Sequence, residues 1–165
     1  MSAVEVVVRD EQARHPVDTA RWRGLAERVL EAEGVGGEAE LTLLFVDDGT
    51  MADLNARFMD ATGPTDVLSF PIDQPTETGP GPDGVPRLLG DVVICPSVAH
   101  ANAPSHAGRY DDELALLVVH GVLHVLGLDH ATPSDEASMQ AREREHLERF
   151  HGPVPAATWT PGWVS

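Results

Sequence analysis

Three histidines lie close together in the stretch HGVLHVLGLDH, which spans residues 120–130. His120 and His124 are one helical turn apart, so both imidazoles lie on one face and can reach one metal ion. Gly127 can end this helix in a left-handed conformation, which favours a residue without a Cβ atom, and the turn can return His130 to the same ion. Three neutral nitrogen ligands with a fourth position left to water are typical of a catalytic zinc site. The sequence therefore predicts one zinc ion per chain, bound by His120, His124 and His130.

The spacing of these histidines is that of the long zinc-peptidase motif HExxHxxGxxH, with Gly127 at the glycine position. The glutamate that acts as general base in that motif is replaced here by Gly121. Loss of such a base typically costs about 10²–10⁴-fold in rate, which makes a metallopeptidase the least favoured hypothesis. A zinc ion that activates water or polarises a phosphoryl oxygen can act on a phosphodiester without that glutamate.

The surrounding hydrophobic patterns predict the elements that position these histidines. Helix 114–126 is apolar almost all round, which indicates a central and buried helix. Prolines flank the short extended segment 67–70 and predict an edge strand, because proline cannot donate to a strand ladder. Beside a metal site such a strand could form the wall of a substrate groove, and an ordinary connection between a loop and a strand is the alternative. The remaining predicted elements are strands at 4–8, 40–46 and 88–95 and helices at 19–34, 51–58, 96–103 and from 134 onward.

We therefore expect a single α+β domain over residues 1–165, in which a small mixed sheet packs with about five helices. The central helix carries the metal-binding histidines against one face of the sheet. Residues 74–87 are rich in proline, glycine and acidic side chains and predict a mobile surface loop. Residues 151–165 lack periodicity and predict a tail.

The composition restricts the partners of the chain. Its formal net charge of −16 argues against non-specific coating of nucleic acid, and no DNA partner is expected. All basic residues are arginines, whose planar fork suits bidentate phosphate contacts. Cys95 is the single cysteine, which excludes an intrachain disulfide and favours a reducing cytoplasm. No apolar run approaches the ~20 residues that cross a bilayer, so we expect a soluble cytoplasmic protein without a membrane partner.

Two motifs resemble those of the YbeY-type bacterial endoribonucleases. HGVLHVLGLDH resembles the family signature HGxLHLxGxDH, and GPTDVLSFP at residues 63–71 resembles its PTDVLSFP segment. Residues 88–94 also look like the family's LGDI-type strand, and the resemblance spans nearly the whole chain outside the loop and the tail. It implies one zinc ion bound by the three histidines and single-stranded RNA as substrate. It further implies roles in 3′-end processing of small-subunit ribosomal RNA and in ribosome quality control, with ribosomal RNA or the small ribosomal subunit as partner.

One departure concerns the family's LNxxYR segment, whose arginine is Met59 in this chain. Arg57, two positions earlier, is the candidate replacement, although that spacing on a helix directs it to a different face. Arg57 joins Thr65, Asp66 and Ser69 of the PTDVLSFP-like segment as the predicted substrate-binding residues. The missing arginine, the missing base and the acidic surface keep a second hypothesis open, a ribosome-assembly factor whose zinc is mainly structural.

Overall fold

The computed structural model describes residues 4–36, 38–72, 87–128 and 132–152. Its elements, in chain order, are β1 (Val4–Glu11), α1 (Thr19–Ala32), β2 (Ala39–Val46), α2 (Asp48–Met59), β3 (Val67–Pro71), β4 (Arg87–Ile94), α3 (Pro96–Asn102), a 3-10 turn (Ala103–Ser105), α4 (Tyr110–Val125) and α5 (Pro133–Phe150). This arrangement confirms the predicted α+β class. His130, residues 74–86 of the predicted loop and residues 153–165 of the predicted tail lie outside the described residues.

The four strands form one mixed sheet in the order β1-β2-β4-β3. β1, β2 and β4 are parallel, and a helical crossover through α1 joins the first two, as a parallel pair requires. β3 pairs antiparallel with β4 at one edge of the sheet, with Val67 opposite Ile94 and Pro71 opposite Gly90. The flanking prolines therefore mark an edge strand, as the sequence predicts.

Helices cover both faces of this sheet, and β4 shows how its side chains are divided. Val92 and Ile94 belong to the larger buried cluster, which includes most of α4 and the buried face of α1. Val93 points to the other face and packs in a smaller cluster with Met51 of α2. α4 is buried along nearly its whole length, as expected for a helix that is apolar all round.

Several predicted boundaries differ from the structure, and three of these differences have a local reason. α2 begins at Asp48 instead of Met51, because Asp47 caps it by accepting a hydrogen bond of 2.8 Å from the Thr50 amide. Arg87 is the first residue of β4 and is buried, so it is not part of a mobile loop. His151 of the predicted tail caps α5, and its Nε2 lies 2.8 Å from Oδ1 of Asp112.

None of the helices in the described parts of the chain is long and apolar enough to span a membrane.

Candidate active site

A cavity of about 350 Å³ opens between the C-terminal end of α2, the edge strand β3 and helix α4. Both described histidines of the predicted zinc site face this cavity. The residues that line it are Asn55, Met59, Thr65, Val67, Leu68, Ser69, His120 and His124.

His120 is buried and hydrogen-bonded to a carboxylate from another helix. Its Nδ1 lies 2.8 Å from Oε2 of Glu143 on α5, and Glu143 is itself fully buried. A carboxylate accepts a hydrogen bond from Nδ1–H, so the neutral ring presents Nε2 as its acceptor nitrogen. A hydrogen-bond acceptor on one ring nitrogen fixes the orientation of a histidine that binds a metal through its other nitrogen.

His124 is oriented in a comparable way by the end of its own helix. Its Nδ1 lies 2.8 Å from the carbonyl oxygen of Leu128. The amides of Gly127 and Leu128 donate to the carbonyls of His124 and Leu123 at 3.1 Å each, which is the Schellman arrangement. Gly127 adopts φ 102°, so the predicted glycine ends α4 in a left-handed conformation and directs the Leu128 carbonyl back towards His124.

The two imidazoles lie side by side, with ring centroids 6.0 Å apart and planes 34° apart. Within the described residues, no group of three or more histidine, cysteine, aspartate or glutamate side chains is arranged to hold a metal ion. The third predicted ligand, His130, lies outside those residues. The three-histidine metal site therefore stays a prediction, of which the structure describes two members.

Position 121, which carries the glutamate in the peptidase motif, is directed at the sheet instead of the cavity. A Cβ atom on Gly121 would lie 2.4 Å from Cγ1 of Val92 and 3.4 Å from Cγ2 of Val67. A glutamate has no space there. The absence of the peptidase base is thus coupled to the close packing of α4 on β3 and β4.

Two of the predicted substrate-binding residues, Thr65 and Ser69, line the cavity. The Ser69 hydroxyl also donates to the carbonyl oxygen of Gly121 at 3.2 Å, which ties β3 to α4. Asp66 is fully buried and is not among the lining residues. Its Oδ1 accepts from the Val67 amide at 2.7 Å, and its carbonyl oxygen accepts from the Cys95 amide at 2.9 Å, so it holds the start of β3.

Arg57 is directed away from the cavity. Its side chain is 68% exposed and forms an ion pair of 3.3 Å with Asp53, one turn earlier on α2. Met59, at the position of the family arginine, lines the cavity instead. The difference follows from helical geometry, since residues two apart lie on opposite sides of a helix.

Sequence reasoning missed two residues of this site. Asn55 lines the cavity, and its side-chain amide donates to the Gly63 carbonyl at 2.9 Å, which holds the turn before Thr65. The Leu-Asn pair that begins the family's LNxxYR segment was a signal for it. Glu143 carried no such signal, because it lies in the charged run AREREHLERF of a helix predicted to be half exposed.

The family model described as endoribonuclease YbeY matches residues 7–151. The chain belongs to the endoribonuclease YbeY family. An endoribonuclease YbeY from Beutenbergia cavernae is 47% identical over 137 residues, which cover 81% of this chain and 89% of that protein. An endoribonuclease YbeY from Acidothermus cellulolyticus is 50% identical over 139 residues, which cover 79% and 82%. Membership of the YbeY family confirms the predicted family and the predicted class of enzyme, an endoribonuclease.

The solution structure of TM1509 from Thermotoga maritima has the same fold, with a TM-score of 0.60 at 22% identity. The match covers 95% of this chain and 98% of that one. The cavity, its two histidines and the edge strand of this chain therefore lie on a fold that is seen in solution.

Proposed function

We propose that this chain is a zinc-dependent endoribonuclease that cleaves single-stranded RNA during ribosomal RNA maturation. Its substrate is the 3′ region of small-subunit ribosomal RNA, free or in the small ribosomal subunit, and it also serves ribosome quality control in the cytoplasm. The whole chain, residues 1–165, acts as one domain. The observation that carries the proposal is the pair of cavity-facing histidines whose Nδ1 atoms both meet fixed acceptors.

The two described histidines, His120 and His124, suit a zinc ion whose third predicted ligand is His130, outside the described residues. Glu143 and the Leu128 carbonyl engage Nδ1 of the first two histidines, so each neutral ring presents Nε2 as the metal-binding nitrogen. Three nitrogen ligands leave one coordination position for substrate or water. When bound, the ion supplies a Lewis acid that activates water and polarises a phosphoryl oxygen.

The protein residues around these histidines bind and orient the substrate. β3 and the residues before it form one wall of the cavity, where the Thr65 hydroxyl is available to a phosphate oxygen of an RNA backbone. The Ser69 hydroxyl donates to Gly121, so its oxygen is available only as an acceptor, for example to a ribose hydroxyl. None of the described residues that line the cavity is an aspartate or glutamate, which disfavours a peptidase-type reaction.

A ribosome-assembly factor with a mainly structural zinc is the second candidate. It is favoured by the burial of the hydrogen-bonded pair His120 and Glu143, which joins α4 to α5. In that case the histidines stabilise the fold on which a ribosomal partner docks, and RNA cleavage by this chain is not required.

The test is cleavage of single-stranded RNA from the 3′ region of small-subunit ribosomal RNA by protein with defined metal content. We expect one zinc per chain, loss of cleavage in the metal-free protein and recovery on addition of zinc. His124→Ala should lose at least ~10²-fold in rate, as expected when a metal position is destroyed. His100→Ala is the matched control, because His100 is exposed and does not line the cavity.

Equal cleavage by wild type and His124→Ala would indicate a contaminating nuclease and overturn the proposal. If a folded His124→Ala protein restored ribosome maturation in cells that lack the gene, the assembly-factor candidate would replace it.

A further inference from the structure

Two consecutive large apolar side chains are exposed at the C-terminal end of α2. Phe58 is 60% exposed and Met59 is 49% exposed. They are two of the four large hydrophobic residues that are exposed in the described part of the chain. Paired apolar exposure beside a cavity is a feature of binding surfaces, whereas single exposed apolar residues are ordinary.

The Phe58 ring is fixed against the edge strand although most of its surface is open. It meets the ring of Phe70 edge-on, with centroids 5.3 Å apart and planes 72° apart. Phe70 follows Ser69 on β3, and Met59 follows Phe58 on α2, and both of these neighbours line the cavity. Phe58 therefore lies where α2 and β3 meet, next to the cavity that holds His120 and His124.

Positive charge is lacking at the same place. Among the described residues that line the cavity, none is an arginine or lysine. Met59 stands at the family's arginine position, Arg57 pairs with Asp53 outside the cavity, and the chain has a net charge of −16. The described residues that line the cavity therefore offer no side-chain cation to an RNA phosphate. An unpaired RNA strand offers a second kind of contact, since each base has an aromatic face that stacks on protein aromatic rings.

We propose that Phe58 and Met59 form a base-stacking subsite at the mouth of the cavity. A nucleobase of single-stranded RNA near the cleaved phosphate packs on the open face of Phe58. Met59 covers the adjacent edge of the base with its flexible, polarizable thioether. The subsite rests on the proposed cleavage of single-stranded RNA. It replaces the phosphate contact that an arginine at position 59 would make with an apolar contact to a base.

The test uses the full-length zinc-loaded protein and single-stranded RNAs that carry 2-aminopurine or an abasic site at successive positions. Phe58→Leu should weaken binding of intact RNA by about 5- to 150-fold, the range that follows from loss of one base stack. Phe58→Trp should retain affinity and 2-aminopurine quenching. Leu88→Ala is the control, because Leu88 is also an exposed apolar residue but lies on β4 and, unlike Phe58, is not next to a residue that lines the cavity.

Two further readouts separate stacking from a general loss of binding. The dependence of affinity on salt should be the same for Phe58→Leu and wild type, because no phosphate contact is removed. An RNA with an abasic site at the stacked position should bind both proteins with equal, weak affinity.

Equal affinity of Phe58→Leu and wild type for intact RNA, with cleavage by both, would overturn the subsite and leave the proposed function intact. The subsite is also overturned if Phe58→Leu lowers the affinity for abasic RNA and for intact RNA by the same factor. Wild-type protein that binds RNA with Phe58-dependent quenching but never cleaves it would overturn the proposed function and retain the subsite.

Discussion

Nδ1 of His120 on α4 lies 2.8 Å from Oε2 of Glu143 on α5, and only 3% and 1% of the two side chains are exposed. Because the pair is shielded from water, the carboxylate fixes the rotation of the imidazole and makes Nε2 a better electron donor. The orientation of a predicted zinc ligand therefore depends on a helix that does not line the cavity.

Two substitutions of Glu143 should weaken zinc binding to different extents. Glu143→Gln keeps an oxygen that accepts from Nδ1 but removes the charge, and we expect about 10-fold weaker affinity. Glu143→Ala also leaves the buried Nδ1–H without its acceptor, and we expect about 100-fold weaker affinity and a fold less stable by ~1–3 kcal/mol. Competition with a chromophoric chelator measures the affinity. Glu145→Gln is the control on the exposed side of α5, and affinities that are equal in all four proteins would contradict the prediction.

Addition of a methyl group at Gly121 should destabilise the protein. The new Cβ would lie 2.4 Å and 3.3 Å from the two methyl carbons of Val92, which is fully buried. Overpacking typically costs ~1–3 kcal/mol, and the better helix propensity of alanine offsets ~1 kcal/mol of it. We expect a net loss of up to ~2 kcal/mol in the free energy of unfolding, measured by urea denaturation.

The double variant Gly121→Ala/Val92→Ala provides the control for this packing. It should show a favourable coupling, because the smaller side chain at position 92 makes room for the new methyl group. A Gly121→Ala protein more stable than wild type by the full ~1 kcal/mol of helix propensity would show that α4 does not approach the sheet this closely.

Removal of zinc should lower the stability of the wild-type protein and have little effect on His124→Ala. A ligand that binds only the folded state stabilises it by about 2.7 kcal/mol at a free concentration 100 times its dissociation constant. Thermal unfolding with excess zinc and with a chelator measures the difference. If the unfolding temperature fell equally in wild type and in His124→Ala when zinc is removed, the metal would be bound somewhere other than at His124.

Ionisation of Cys95 should destabilise the fold at high pH. Burial raises the pKa of this thiol from 9.0 to about 11, and its Sγ lies 3.4 Å from Oδ1 of Asp48. The folded chain holds the thiol proton more tightly than the unfolded chain, so this stabilisation is complete below pH 9 and is lost as the pH rises through 11. The free energy of unfolding of wild type should fall over this interval more steeply than that of Cys95→Ala, and parallel curves would contradict the prediction.

Features that depend on near neighbours in the chain could be predicted from the sequence. His120 and His124 share a helix face because residues four apart must do so, and Gly127 ends that helix because its φ of 102° suits a residue without a Cβ. The prolines around β3 likewise predicted an edge strand. The motifs themselves were specific enough to predict the family, which the match over residues 7–151 confirms.

Tertiary structure decided how the site is completed. Glu143 is 23 residues from His120 in the chain, and Ser69 is 52 residues from Gly121, so no local pattern could predict either contact. The same packing brings Asn55 and Met59 to the cavity while Arg57 is directed away. Periodicity predicts which side of a helix a residue occupies. Only the packing of α4 between the sheet and α5 determines what that side meets.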